Sequence, residues 1–208
     1  MRVLVACEFS GIVRDAFRLR GHDATSCDLL PTERDGPHYQ GDIFDIIDDG
    51  WDLMIAHPPC TYLTNAGVRW LYGDYGHKMA STSLVGEARW EAMRDGAAFF
   101  SRLLNAQIPR VAVENPIMHG HALEIIGKRQ DQVVQPWMFG EPQTKSVGLW
   151  LRGLPPLLAT GPICQERVPL VHRMAPSADR AKKRSVFFPG IAAAMAEQWG
   201  GLSGRLEP

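Results

Sequence analysis

The sequence is short of most features that would assign it by composition alone. It has no long apolar run, the longest falling well below the roughly 18 to 20 residues that cross a bilayer. The amino terminus opens on Arg2 and the short run Val3-Leu4-Val5-Ala6, with no cleavage region after it. A cytoplasmic protein with no membrane partner is expected. An excess of one charge is missing too: 22 Lys and Arg stand against 23 Asp and Glu, a net charge of -1. That excludes a polycationic nucleic-acid binder and confines any phosphate contact to a local patch. Cysteine is sparse, and Cys7, Cys27, Cys60 and Cys164 lie far apart with no Cys-x-x-Cys pair. Neither a disulfide scaffold nor a structural zinc site is expected, so each cysteine has to be judged alone.

What is present is a chain of 208 residues, 45% hydrophobic and 22% charged, within the range of one globular domain with a full core. Short apolar runs at Val3 to Cys7, Ala24 to Cys27, Leu53 to Ala56, Val111 to Val113 and Val147 to Leu151 read as strands. Between the third and fourth, Trp90, Met93, Ala97, Phe100 and Leu104 repeat at helical spacing and mark an amphipathic helix. Near the end, Ile191, Met195 and Trp199 repeat every four residues and mark a terminal helix. Strand and helix in alternation give an α/β fold, a mostly parallel sheet with helices on both faces. Such sheets bind ligands at the carboxyl ends of their strands, near the reversal of strand order. We expect one domain over residues 1–208, in which 153–185, rich in Pro and basic residues, is a surface excursion too short to be a second domain.

The residues that could carry chemistry follow these strands. After the third comes His57-Pro58-Pro59-Cys60-Thr61, and two prolines stiffen the backbone that presents Cys60. This suits a positioned nucleophile, although a buried structural cysteine beside a turn fits the same residues. After the fourth comes Glu114-Asn115-Pro116; burial of Glu114 is expected to raise its pKa toward proton donation, the alternative being an ordinary strand-end carboxylate. The first strand leads into Phe9-Ser10-Gly11 and a helix, and the second ends at Asp28, an arrangement suited to a nucleotide cofactor whose ribose an acid would bind. Asp42, in Gly41-Asp42-Ile43, offers a further polar contact suited to an adenine amino group.

Taken in order, these pieces resemble the DNA cytosine-5 methyltransferases, over Arg2 to about Trp199. Phe9, Gly11 and Ile12 are similar to the family's first cofactor loop, Asp28 with Leu29 to its ribose-binding acid, and Asp42 with Ile43 to its adenine-binding pair. Pro58-Pro59-Cys60 resembles the nucleophile motif and Glu114-Asn115 the motif that handles the base. Phe139-Gly140-Glu141-Pro142-Gln143-Thr144-Lys145 is similar to the glycine-x-proline-glutamine segment, and Phe188-Pro189-Gly190-Ile191-Ala192 to the last motif. Val13 stands where the family has a second loop glycine, Lys145 and Val147 where it has arginines, and Ile191 where it has asparagine. Only Leu154 to Ser185 occupies the place of a target-recognition region, as in compact phage-encoded members.

The resemblance implies a Rossmann-like S-adenosylmethionine-dependent fold, S-adenosylmethionine as cofactor, DNA as partner and no metal. It implies that Cys60 attacks C6 of a flipped cytosine while Glu114 holds N3 and the exocyclic amine, Asn115 braces the cysteine loop and Lys145 supplies a cationic contact. Between Lys145 and Arg184 eight basic residues face only Glu166 and Asp179, so Arg180, Lys182, Lys183 and Arg184 are the candidates for the DNA backbone. Residues 65–87, with Arg69, Trp70, Tyr72 and Tyr75, could close over the base. Three readings stay open beside this one: the same chemistry on a free nucleotide or RNA, a catalytically silent DNA-binding relative, and a cofactor that donates a group other than methyl.

Overall fold

A computed structural model of the chain describes residues 1–73, 84–173, 175 and 180–202. Tyr75 and the rest of 74–83 lie outside the described residues, as does 176–179 within the basic excursion.

Seven strands form one sheet in the order β3-β2-β1-β4-β5-β7-β6. They are β1 (Arg2–Ala6), β2 (Asp23–Asp28), β3 (His38–Gln40), β4 (Leu53–Ala56), β5 (Arg110–Asn115), β6 (Gln132–Val134) and β7 (Val147–Arg152). The first five are parallel, and β7 runs antiparallel to both β5 and β6. The α/β Rossmann-like architecture expected from the sequence is therefore the one the chain adopts. All five strand runs read from the sequence are present. The two that were not read, β3 and β6, are three-residue strands at the sheet's edges, where burial is partial and leaves no apolar run to detect.

The central strands are apolar on both faces because both are covered. Along β1 the side chains alternate, with Val3 and Val5 in one core and Leu4 and Ala6 in the other. The first core is closed by α1 (Ile12–Arg18) and, at the far end of the chain, by α6 (Pro189–Gln198) with Trp199 at its end. The second is closed by α2 (Gly86–Leu104), whose Met93, Ala97 and Phe100 are fully buried, and by α3 (Gly120–Ile126). Trp150 of β7 meets Phe100 edge-on at 5.0 Å and donates its ring N–H to the Lys128 carbonyl. The excursion carries two short helices, α4 (Leu170–Arg173) and α5 (Arg180–Ser185). It is tied back where Thr144 N donates to the Val168 carbonyl and Val168 N to that of Pro142.

Arg14, fully buried on α1, shapes the loop after β2. Its guanidinium meets Asp15 at 2.8 Å, donates to Ser26 and Thr32 hydroxyls at 3.2 Å, and donates to the Arg34 and Asp35 carbonyls at 3.1 Å. Gly11 (φ +70°) and Gly36 (φ +148°) both lie against this guanidinium, where a Cβ would collide with it. A buried charge is tolerated here because an ionic partner and four neutral acceptors surround it.

Arg14→Met removes five bonds made by one buried guanidinium, although Asp15, Ser26, Thr32 and the Arg34 carbonyl each keep another partner. We expect it to lower the unfolding free energy by about 3 kcal/mol, read by urea denaturation; a loss under about 1 kcal/mol would mean that water replaces the guanidinium freely.

Candidate active site

Strand order reverses between β1 and β4, and the residues singled out in the sequence gather at the carboxyl ends of the strands on either side. The loop leaving β4 begins with His57, whose amide continues the ladder by donating to the Ala6 carbonyl at 2.9 Å. Pro58 and Pro59 have no N–H to offer, so side chains hold this loop instead. Asn115 Nδ2 donates to the Pro58 carbonyl at 2.9 Å, and Arg89 Nη2 on α2 donates to that of Thr61 at 3.2 Å. His119 lies 3.0 Å from the Tyr62 carbonyl through Nε2 and accepts from Ala122 N through Nδ1, capping α3. Backbone bonds from His119 N to Leu63 and from Asn65 N to Ile117 complete the seam between the two loops.

Glu114 and Asn115 were expected just beyond their strand. They are instead its last two residues, paired with Leu149 and Gly148 of β7. Both are buried, at 7% and 1% exposure. Glu114 Oε2 lies 3.1 Å from His57 Nδ1, while Glu114 Oε1, Asn115 Oδ1 and His57 Nε2 are buried with no hydrogen-bond partner among the described residues. Buried polar atoms are nearly always satisfied, so these atoms at the end of β5 and the start of the next loop leave bonds for a polar ligand or water to make.

The expected rise in the Glu114 pKa is corrected by the structure. Burial does push it up, but the His57 hydrogen bond and the charges of Lys145 and His57 outweigh burial and hold the carboxyl below its usual range. Cys60, half-buried, goes the other way: burial and the Glu114 charge raise its thiol, while Lys145, a backbone hydrogen bond and Arg184 pull it down. Lys145 is thus the cation both groups feel. Its Nζ donates to the Arg184 carbonyl at 3.2 Å and lies 5.3 Å from the Phe188 ring centre.

A second set of expected residues surrounds a neighbouring cavity of about 180 Å³. Asp28, Leu29, Asp42 and Ile43 line it together with Cys7, Cys27, Gly41, Phe99 and Pro59, and Pro59 is the neighbour of Cys60. Asp28 Oδ1 accepts from Leu30 N at 2.9 Å, and Asp42 Oδ1 caps the short 3-10 helix Ile43–Asp45 by accepting from Phe44 N at 3.0 Å. Phe9, Gly11 and Ile12 are buried at the start of α1 and are not among the cavity's lining residues. The loop they form is held by Glu8, which the sequence reading missed. Its buried carboxylate accepts from Val13 N at 2.7 Å and Arg14 N at 3.2 Å, so it caps the helix from within. Burial first, then Asp28, raises Cys7 far above the thiol range and Cys27 to about 12, which disfavours the thiolate of each.

The basic helix α5 reaches the same edge unevenly. Lys182 is ion-paired with Glu33 at 2.6 Å and lies 5.2 Å from the Phe9 ring centre, while Arg184 holds Lys145. Lys183 is exposed and Arg180 is half-buried. Residues 65–72 form a 3-10 helix in which Arg69 stacks on Trp70 at 4.4 Å; Tyr72 bonds His121 Nε2 at 2.6 Å and meets Trp90 edge-on. Among the described residues no group of three or more His, Cys, Asp or Glu could hold a metal, and no helix is long and apolar enough to cross a membrane.

No protein-family model and no curated protein sequence matches the chain. Among solved structures, it is similar to a protein of an E. coli prophage described as a candidate DNA modification methyltransferase, with a TM-score of 0.42 and 13% identity, covering 73% of this chain and 46% of that one. It is also similar to the methyltransferase EhMeth of Entamoeba histolytica, with a TM-score of 0.45 and 13% identity, covering 86% of this chain and 61% of that one. In each case the chain spans less than two thirds of the other protein's length.

The charges around Cys60 make its alkylation a probe of the site. With iodoacetamide, and Cys60 followed by peptide mass spectrometry, Lys145→Met slows labelling at pH 8 on the order of threefold and Glu114→Gln speeds it by a similar factor, because the thiolate is the reactive form. Equal rates in all three proteins would remove Lys145 and Glu114 from the surroundings of the thiol.

Proposed function

We propose that this protein transfers a methyl group from S-adenosylmethionine to C5 of cytosine in DNA through a covalent bond between Cys60 and C6. The observation that carries the reading is the convergence at the carboxyl ends of the central strands β4 and β5 of a proline-stiffened cysteine, a buried glutamate and asparagine with unmet bonds among the described residues, and a lysine whose charge both Cys60 and Glu114 feel. Next to it, across Pro59, lies the cavity lined by Asp28 and Asp42.

The residues of that cavity fit the cofactor. Asp28 offers a carboxylate to ribose hydroxyls, Asp42 one to an adenine amine, and Ile43, Leu29 and Phe99 offer apolar walls for a flat ring. S-adenosylmethionine, when bound, supplies an electrophilic methyl group. Everything else falls to the chain.

Cytosine is flat, with a bare N3 and a donating amine beside it. Glu114 Oε1, an acceptor without a partner among the described residues, suits the amine, while Asn115, which holds the Pro58 carbonyl, braces the cysteine loop. When the ring engages Glu114, the negative charge that raises Cys60 is spread over the ligand, while Lys145 and Arg184 keep favouring the thiolate. Deprotonation of the nucleophile is thereby coupled to arrival of the base. Cys60 then adds to C6, C5 becomes nucleophilic enough to take the methyl group, and loss of the C5 proton with release of Cys60 ends the cycle. In duplex DNA the base has to leave the stack at a cost of a few kcal/mol. Lys183 and Arg180, with the carboxyl-terminal part of α5, are the phosphate contacts that offset this; Lys182, engaged with Glu33, contributes once DNA displaces that exposed pair.

The test is transfer of labelled methyl to duplex DNA, with the product base identified by mass spectrometry. We expect 5-methylcytosine from the wild type, none from Cys60→Ser, and a loss on the order of 10² to 10⁴ in rate for Glu114→Gln. Cofactor binding without any label in DNA would transfer the reading to a free nucleotide, RNA or another donated group.

A further inference from the structure

One side chain of the site has no part in the chemistry just described. His57 leaves β4 directly before the two prolines; its side chain is 9% exposed, as is that of Glu114, and its Nδ1 lies 3.1 Å from Glu114 Oε2. Its ring leans on Phe187, with centroids 4.6 Å apart, and its Nε2 is buried without a partner among the described residues. The cations that act on Cys60 are Lys145 and Arg184, so His57 does not serve the thiol. It serves the carboxylate.

Addition of a thiolate to C6 forces a proton onto N3. As the S–C6 bond forms, the C5–C6 π pair moves to C4–C5 and the C4–N3 π pair moves onto N3, which must then be protonated. Glu114 is held ionised at rest by its neighbours and so has no proton of its own to give. Two titratable groups in buried contact hold and lose protons as a unit. On the reading of the preceding subsection, we propose that His57 is a positioning residue that stores the proton Glu114 delivers to N3. For this the pair carries its proton on the ring before the base arrives, with Nδ1–H donating to Oε2 across 3.1 Å. The proton crosses to Glu114 and on to N3 as Cys60 adds, leaving a neutral imidazole. It returns by the same path when Cys60 is eliminated, and the C5 proton departs to water. The other charged and titratable groups facing the pair, among the described residues, are Lys145 from the segment before β7, Cys60 from the loop after β4 and, beyond Cys60, Arg184 of α5.

Two measurements test this, one of them independent of any substrate. Infrared difference spectra against Glu114→Gln read the protonation of Glu114 in the free protein. We expect a carboxylate at pH 6 in the wild type and a protonated acid in His57→Phe, since burial then dominates; identical spectra overturn the coupling. The second is the pH dependence of single-turnover methyl transfer in His57→Asn, which keeps an N–H donor for Oε2 but stores no proton. Its rate is expected to fall on the order of 10²-fold at pH 8 and clearly less at pH 6, where Glu114 itself takes up a proton. His57→Gln is the second variant, should the first fail to fold. A wild-type rate in His57→Asn, or the same loss at both pH values, overturns the store and leaves His57 a structural donor. Intact coupling in a wild type that methylates no DNA overturns the delivery to N3 together with the reading beneath it, and leaves the pair itself standing.

Discussion

The hydrogen bond from Asn115 Nδ2 to the Pro58 carbonyl joins the two halves of the site, holding the proline pair before Cys60 to the end of β5. Two consecutive prolines give the loop after β4 its stiffness but also strip it of the N–H groups by which a backbone normally fastens itself. At the two prolines only carbonyls are left to hold. Asn115 takes one from the end of β5, and Arg89 and His119 hold the carbonyls of Thr61 and Tyr62 on either side of the same seam. Because β5 is itself clamped between β4 and β7, the cysteine loop inherits the rigidity of the sheet.

That rigidity explains how unsatisfied polar atoms survive at the centre of the molecule. Leaving a buried acceptor without a partner costs on the order of 1 to 3 kcal/mol, and a loose site would collapse to remove the penalty. Here the backbone of Glu114 and Asn115 is pinned by pairing with Leu149 and Gly148, and the His57 ring is backed by Phe187. The site is consequently kept open in shape and unmet in hydrogen bonding. A ligand with a complementary edge gains those bonds with little reorganisation, which is the condition for electrostatic catalysis.

Electrostatics sets Glu114 and Cys60 in opposite directions. Glu114 is drawn down in pKa and Cys60 pushed up, although burial raises both, because Glu114 has His57 at hydrogen-bond distance whereas Cys60 has Glu114 itself as a neighbour. Lys145 acts on the two in the same direction, favouring the anionic form of each. The Arg184 carbonyl that holds Lys145 also ties the basic helix to the cation beside Cys60.

The strands, the main helices and their α/β order were legible in the sequence, because burial on two faces writes continuous apolar runs and burial on one writes a helical period. Cys60 likewise follows a strand run, and Glu114 and Asp28 lie at the carboxyl ends of theirs, where a parallel sheet presents its ligand side, whereas Asp42 follows β3. Edge strands β3 and β6 left no such trace. Nor did His57, Glu8, Arg14 and Arg89, whose roles rest on partners 57, 5, 21 and 28 residues away at the farthest or nearest bond that defines them. Sequence determined which chemical groups the chain owns and which strand ends carry them. Only the tertiary structure decided their charge states, since a carboxyl between a histidine and a lysine and a thiol beside that carboxyl are set by neighbours that no local pattern brings together.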